Sequence, residues 1–399
     1  MQRNVATGID VGTTAVKVVV AEYVKGERGP EKRVIGLGLG ESLGLRHGYI
    51  VDTGHVARSV RQALAHAERT ARMKVKGAIV SVGGVGLESF TTTGGSAVSR
   101  ADSEITELDI ERALVAARQS LPDPAKNNRK VIHTIPLSYK LDGKEVLGRI
   151  LGMRGMKLEV RALFITTLDQ HLGDLIEAIE SVGVEVKDIV ASPIAAAVAT
   201  LTKAQRIAGC VLADIGAETV SVVVYENDMP ISLKVFPLGS SDITNDIALG
   251  LRVPLEEAER IKTGDRISIQ HPKKKLDEIV NARLKDIFEL IETHLKKIGK
   301  NGLLPAGVVL TGGGSRIASV EDLAKASLAL PSRIGSVQIG TASQGVIDDP
   351  SWATAYGLSL LGLTPGVVSG ADPAGRGNHF ELFRGLGENL RRFTRKFLP

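Results

Sequence analysis

Residues 5–23 read VATGIDVGTTAVKVVVAEY, and residues 211–229 read VLADIGAETVSVVVYENDM. Laid over one another with Asp10 on Asp214 and Gly12 on Gly216, both run strand, Asp-x-Gly turn, strand. Too few residues separate the paired runs for a crossover helix, so each stretch is a hairpin. This repeat organises the chain. Two related α/β halves that face each other make a cleft, and each Asp-x-Gly turn points into it.

The flanking sequence extends the pattern. VIGLGLGES (34–42) is a third strand, DTGHVARSVRQALAHAERTARM (52–73) has helical spacing, and the apolar VKGAIVSVGG (75–84) follows, which predicts a mixed sheet covered by helices. Between 84 and 163 the character changes. A helix in ITELDIERALVAARQSL (105–121), with Thr106 as N-cap and Asp109 reciprocating, precedes two β-rich pieces, KVIHTIPLSYKLDG and LGMRGMKLEVRALFIT; a small inserted domain fits. Helix, strand and helix then resume in LDQHLGDLIEAIESVG, VEVKDIVAS and PIAAAVATLTKAQR. After the second hairpin, VPLEEAERIKTG and KLDEIVNARLKDIFELIETHLKKIG predict a mostly helical insertion, and PAGVVLTGGGSRIAS and WATAYGLSLLGL close the core.

Composition narrows the function classes. With 399 residues, 43% of them hydrophobic and 24% charged, the chain can bury a multi-domain core. A net charge of +5 without a recognisable reading module argues against nucleic acid as partner. The single cysteine, Cys210, lies in an apolar run and is read as a buried, inert thiol of a reducing compartment. No stretch approaches the ~20 apolar residues of a membrane span, and the N-terminus lacks the apolar core of a signal peptide.

Three glycine turns carry the chemistry. In the Asp-x-Gly turns, small residues leave backbone N–H groups free for phosphate oxygens, Thr13 and Thr14 add hydroxyl donors, and Lys17 offers a positive charge. Asp10 and Asp214 are hard oxygen ligands suited to Mg2+, and Asp214 is the candidate catalytic carboxylate beside a terminal phosphate. Gly312, Gly313 and Gly314 let backbone approach a flat base, and Arg316 can stack on it. Glu259 and Lys262, three apart on a helix, share a face that can close the ribose side. There is no G-x-x-x-x-G-K-[ST] loop and no G-x-G-x-x-G opening a βαβ helix. His55, His66 and His171 fall on helical patterns and are read as surface or structural residues.

The three turns IDVGTTAVK, DIGAETVSV and TGGGSRI resemble the phosphate and adenosine loops of the actin, Hsp70 and sugar-kinase superfamily. With HGYIVDTGHVARSVRQALAHAE, IHTIPLSYKLDG, LGMRGMKLEV and SSDITNDIALGL, the resemblance is to the FtsA family of bacterial actin-like cell-division proteins over nearly all of residues 4–364. It implies an actin-like (ribonuclease H-like) pair of halves: 1–83 with 164–206, and 207–245 with 302–364. The inserted subdomains are 84–163 and 246–301. It implies ATP and Mg2+ in the cleft, with Asp10, Gly12, Thr13, Thr14 and Lys17 in one phosphate loop, Asp214 and Gly216 in the other, and Gly313, Gly314, Ser315 and Arg316 facing adenosine. It also implies head-to-tail filaments, peripheral attachment to the inner face of the plasma membrane, and capture of the C-terminal tail of the tubulin-like GTPase FtsZ. Other division proteins would dock on 84–163.

Departures from the family pattern stand at Glu218, where a glycine is usual, at Ser221, often an aspartate, and at Ser192 before Pro193, usually a glutamate. An acid entering a phosphate loop repels phosphate unless a cation compensates, so binding is expected to survive better than hydrolysis. The helical insertion is short, and its Lys273, Lys274, Lys275, Arg283 and Lys285 can attract an acidic tail. Rival readings are the actin-like adaptor of type IV pilus assembly, and an ATP-dependent kinase or ATPase of the superfamily.

The C-terminus is legible without the family. After a Gly/Pro/Ser-rich linker, 365–378, the segment 379–399 ends in FELFRGLGENLRRFTRKFLP. On a helix, Phe383, Leu386, Leu390, Phe393 and Phe397 fall within about 80 degrees, with Phe380 a turn before them. Arg384, Arg391, Arg392, Arg395 and Lys396 occupy the other side, as in a helix lying on an anionic lipid surface.

Overall fold

The two hairpins form because each is a run of β-branched residues broken at a glycine. In a computed structural model, which describes residues 4–26, 29–264, 273–341 and 345–364, β1 (Val5–Val11) pairs antiparallel with β2 (Ala15–Gly26), Asp10 opposite Lys17. The chain continues through β3 (Gly29–Glu41), the small β4 (Leu45–Arg46) and β5 (Tyr49–Ile50) hairpin, α1 (Thr53–Ala71) and β6 (Gly77–Val82). Asp52 caps α1, its carboxylate accepting from His55 N–H at 2.8 Å. The helix lies so close on β3 that a Cβ at Gly38 would stand 1.9 Å from the Ala63 carbonyl oxygen. Only glycine fits there.

The interval that changes character holds β7 (Glu88–Ala97), α2 (Glu107–Gln119), α3 (Asp123–Lys126), β8 (Arg129–Leu141), β9 (Lys144–Val146) and β10 (Lys157–Leu168). Thr106 and Asp109 form the reciprocal cap of α2, and hydrogen bonds from Thr106 and Ser99 overcome burial to hold the Asp109 carboxyl down at about 2. The first half is completed by α4 (Asp169–Glu180), β11 (Glu185–Ala191), α5 (Ser192–Thr200) and α6 (Lys203–Ala208). PIAAAVATLTKAQR is thus two helices. Leu201 is extended, and Thr202 caps the second piece with Gln205.

The second half repeats the first: β12 (Cys210–Ile215), β13 (Val220–Glu226), β14 (Met229–Phe236), α7 (Ser240–Leu251), α8 (Leu255–Thr263), α9 (Lys273–Lys297), β15 (Val308–Thr311), α10 (Val320–Leu328) and β16 (Ser332–Ile334). β17 (Gln338–Thr341), β18 (Gly345–Asp348) and α11 (Ala353–Leu363) follow. One sheet runs β11-β6-β1-β2-β3 and the other contains β16-β15-β12-β13-β14; in each an antiparallel hairpin is continued by two parallel strands. The duplication read from the two quoted stretches is therefore a duplication of topology.

β14 carries the second sheet on into β7, β10, β8 and β9. The junction is one backbone pair, Lys234 opposite Glu88, reinforced by Ser89, whose hydroxyl donates to the Leu233 carbonyl and accepts from the Leu233 N–H, each at 2.8 Å. Between the halves lie α5 and α11: α11 packs on β1 and β2 of the first sheet, α5 on β12 and β13 of the second, and the two pack on each other. One apolar core accordingly runs from Ile9 and Val19 through Ala195 and Leu358 to Leu212 and Val223. Two further clusters lie outside it, one joining α7, α9 and α10 to the second sheet and one filling the β7–β10 region. Cys210 is fully buried, and burial pushes its thiol up to about 11.

Candidate functional site

The two Asp-x-Gly turns close the same way. Gly12 N–H donates to the Ala15 carbonyl at 3.2 Å, and Gly216 N–H donates to the Thr219 carbonyl at 2.9 Å. Asp10 faces Lys17 in its hairpin and Asp214 faces Ser221, so Lys17 and Ser221 are equivalent positions of the repeat. Both turns border a cavity of about 450 Å³ that also meets β6, α4, α8 and the Gly312–Arg316 turn. Its lining includes Asp10, Gly12, Thr13, Thr14, Lys17, Asp214, Gly216, Glu259, Lys262, Gly312, Gly313, Gly314 and Arg316, so the fold brings the sequence-predicted residues to one place with the exception of Ser315. Ser315 is buried and its hydroxyl donates to the Gly312 carbonyl at 2.7 Å. Its side chain props the turn from behind and does not face the cavity.

Electrostatics in the cavity centre on the two aspartates. Burial raises the Asp10 carboxyl, against the opposing pull of Lys17 and a 2.7 Å hydrogen bond from Ser81. Asp214 is pushed up to about 6 by burial and by the negative charge of Asp10, again opposed by Lys17. Among the described residues no donor reaches the Asp214 carboxylate, and no group of three or more His, Cys, Asp or Glu side chains gathers so as to hold a metal ion. Two underneutralised carboxylates on one cavity suit a hard divalent cation that draws its other ligands from water and phosphate, as Mg2+ does. Lys17 does not point to solvent. Its Nζ donates to the Ser351 carbonyl at 2.8 Å and lies 5.9 Å from the centroid of the Trp352 ring.

The third turn is shaped by close approach. Gly312 has φ +82, and a Cβ there would sit 2.2 Å from Asp214 Oδ1. TGGGSRIAS opens as a short 3-10 turn, Gly313–Arg316, with α10 starting only at Val320. Arg316 lines the cavity while its guanidinium stands 3.8 Å from Asp349 with the side chain 69% exposed. On α8, Lys262 pairs with Glu259 at 2.7 Å and donates to Thr244 Oγ1 and the Ser240 carbonyl. Burial pushes the Glu259 carboxyl up, but Lys262 and Thr244 outweigh it and hold it below the usual range.

Two expectations need correction, and a third, the reading of His171 as surface or structural, is narrowed to structural. Glu218 does not enter the cavity: its carboxylate accepts from the backbone N–H of His47. Arg283 is committed to Asp246, at 2.7 and 3.0 Å, and to Asp286, so it is not a free cation for an acidic tail. His171 is structural but not superficial; it is buried against Tyr49, its ring held low by burial, and it borders the cavity. The membrane-binding residues predicted within 379–399, and the linker 365–378, lie outside the described residues. Sequence reading missed Ser81, Thr244 and Ser351. Ser81 was the one legible signal, a hydroxyl inside the apolar run AIVSV.

A duplicated β-hairpin-led α/β unit, with glycine turns from both copies around one cavity and a small domain inserted after the first copy's fourth strand, defines an actin-like protein. The chain superposes on the type IV pilus protein of a PilM-PilN biogenesis complex with a TM-score of 0.65 and 18% identity, covering 90% of this chain and 99% of that one. It superposes on the ethanolamine utilization protein EutJ of Carboxydothermus hydrogenoformans with a TM-score of 0.53 and 16% identity, covering 89% of each. These are likenesses of fold. The family model for cell division protein FtsA matches residues 211–357, and the model for the SHS2 domain inserted in FtsA matches residues 84–166. Over 377 residues the chain is 30% identical to the cell division protein FtsA of Pseudomonas aeruginosa, covering 89% of this chain and 88% of that one. With that of Bacillus subtilis it shares 31% over 372 residues, 88% and 81% of the two chains. The chain belongs to the FtsA family of cell division proteins.

Proposed function

We propose that this member of the FtsA family binds ATP with Mg2+ between its two halves, assembles head to tail, and tethers the tubulin-like GTPase FtsZ to the inner face of the plasma membrane. The observation that carries the nucleotide reading is the meeting of both Asp-x-Gly turns and the Gly312–Arg316 turn on one cavity whose two carboxylates share Lys17 as their opposing charge. Backbone N–H groups of the paired turns cradle the phosphates, with Thr13, Thr14 and Lys17 beside them. Gly312, Gly313 and Gly314 pass under the base, Arg316 covers it, and Glu259 and Lys262 close the ribose side. Bound Mg2+ would supply charge neutralisation between phosphate and the carboxylates of Asp10 and Asp214. Asp214 would hold a water near the terminal phosphate. With Ser192 and Ser221 lining the same cavity where acids are usual, turnover is slow or absent.

Residues 84–163 supply the surface for other division proteins. Leu147, Met153 and Met156 are exposed there, at 95%, 41% and 77%, which suits protein contact better than solvent. The 379–399 segment is the lipid foot, and one short foot holds well only when many copies share a filament. No helix among the described residues is long and apolar enough to cross a membrane.

Titration of ATP with Mg2+ tests the cleft, because the chain's single tryptophan, Trp352, sits over Lys17 and reports occupancy. A saturable fluorescence change is expected; no change together with no retained ATP refutes the reading. Deleting 379–399 should abolish sedimentation with anionic liposomes while leaving the ATP signal intact, and equal sedimentation of both forms would count against the foot. A binding titration with the C-terminal peptide of the organism's own FtsZ tests the tether.

A further inference from the structure

Across the mouth of the cavity, a residue of the second half holds a turn of the first. His47, at the tip of the β4–β5 hairpin, donates its backbone N–H to Glu218, 171 residues away, while its Nδ1 lies 3.3 Å from the Glu218 carbonyl oxygen. The turn that Glu218 grips is itself constrained. His47 has φ 49, a left-handed conformation uncommon for a residue with a Cβ. The His47 carbonyl accepts from Val85 N–H at 3.3 Å, and Gly48 is packed so tightly on Gly84 that a Cβ would stand 2.3 Å from the Gly84 Cα. The same hairpin, through Leu45, Gly48 and Ile50, forms a wall of the cavity, and Ala217 and Thr219, on either side of Glu218, line it opposite.

We infer that Glu218 is a positioning residue: it latches the second Asp-x-Gly turn to the His47 turn, and so sets how readily the two halves part to release what the cavity holds. The inference rests on the nucleotide reading for its consequence, but the latch itself does not. A carboxylate accepting a backbone N–H is a charge-assisted bond, stronger than a neutral one. Placing an acid at this position therefore adds an attachment between halves, and it turns the negative charge away from the phosphate space.

The test uses the full chain with Glu218→Gly, which removes the side chain, and Glu218→Gln, which keeps an acceptor without the charge. Hydrogen exchange of the His47 amide, measured without nucleotide, reads the latch directly. Glu218→Gly should speed it on the order of ten- to a hundredfold, as loss of a charged acceptor implies, with Glu218→Gln intermediate. In stopped flow, dissociation of a fluorescent ATP analogue should quicken in the same order, glycine above glutamine above wild type. Unchanged His47 exchange in Glu218→Gly overturns the latch whatever the nucleotide does, and faster exchange without faster release overturns its control of how the halves part. If wild type binds no analogue at all, the nucleotide reading falls and the exchange result still decides whether the halves are latched. Should Glu218→Gly not fold, Glu218→Gln alone carries the comparison.

Discussion

Replacing Asp214 by asparagine should stabilise the ligand-free protein at neutral pH, against the usual result of changing a site residue. The carboxyl titrates near 6, against an ordinary 3.8, because it is buried and faces the charge of Asp10. At about 1.4 kcal/mol per pH unit, ionising it in the folded state costs on the order of 3 kcal/mol. The sign follows from proton binding: between pH 3.8 and 6 the folded state holds more protons than the unfolded chain, so stability falls as pH rises through that window and stays lower above it. Asp214→Asn is nearly isosteric, and among the described residues no donor reaches the carboxylate that it would orphan. The variant should therefore gain up to about 3 kcal/mol at pH 7.5 and lose the Asp214 share of the wild-type decline between pH 4 and 6, Asp188 and Asp10, also raised by burial, keeping theirs, while binding Mg2+ and ATP more weakly. Calorimetric melting across pH, with and without Mg2+ and ATP, reads both effects, and ligand should raise the wild-type midpoint more than the variant's. A variant that melts below wild type at pH 7.5, or whose pH slope is unchanged, would refute the electrostatic reasoning.

Two backbone devices can be tested alongside it. Gly312→Ala places a Cβ 2.2 Å from Asp214 Oδ1 at φ +82; a loss of about 2–4 kcal/mol in chemical denaturation is expected, with the cavity's ATP signal gone. Ser89→Ala removes two of the bonds that tie β7 to β14, leaving the Lys234–Glu88 pair in place, and should cost roughly 1–2 kcal/mol, with faster exchange of the Leu233 amide as its signature.

The architecture was legible because strand periodicity and a repeated turn survive in linear sequence. Asp10 and Asp214 could be aligned by eye, and their equivalence holds down to the closing bond of each turn. Thr106 with Asp109 was legible for the same reason, since a cap is a local pattern. What was not legible depended on side-chain direction across the cleft. Nothing in DIGAETVSV says that Glu218 turns toward His47, because its partner is a backbone N–H on another element, and a backbone donor leaves no mark in sequence. Arg283 looked free for the same reason: Asp246 lies on α7, and only packing of α9 against α7 brings the pair together. Ser315 shows the limit of transferring a role by position, since its neighbours line the cavity and its own hydroxyl turns back to Gly312.

The pair of helices between the halves has a consequence for how the molecule comes apart. Because α5 belongs by sequence to one half and covers the other's sheet, and α11 does the reverse, either half expressed alone would leave a bare apolar face and an unsupported helix. Residues 1–206 and 207–364 should accordingly fail to fold separately and should regain solubility only when produced together. Heat should melt them in one step, as a single cooperative unit, even though the strand order counts two.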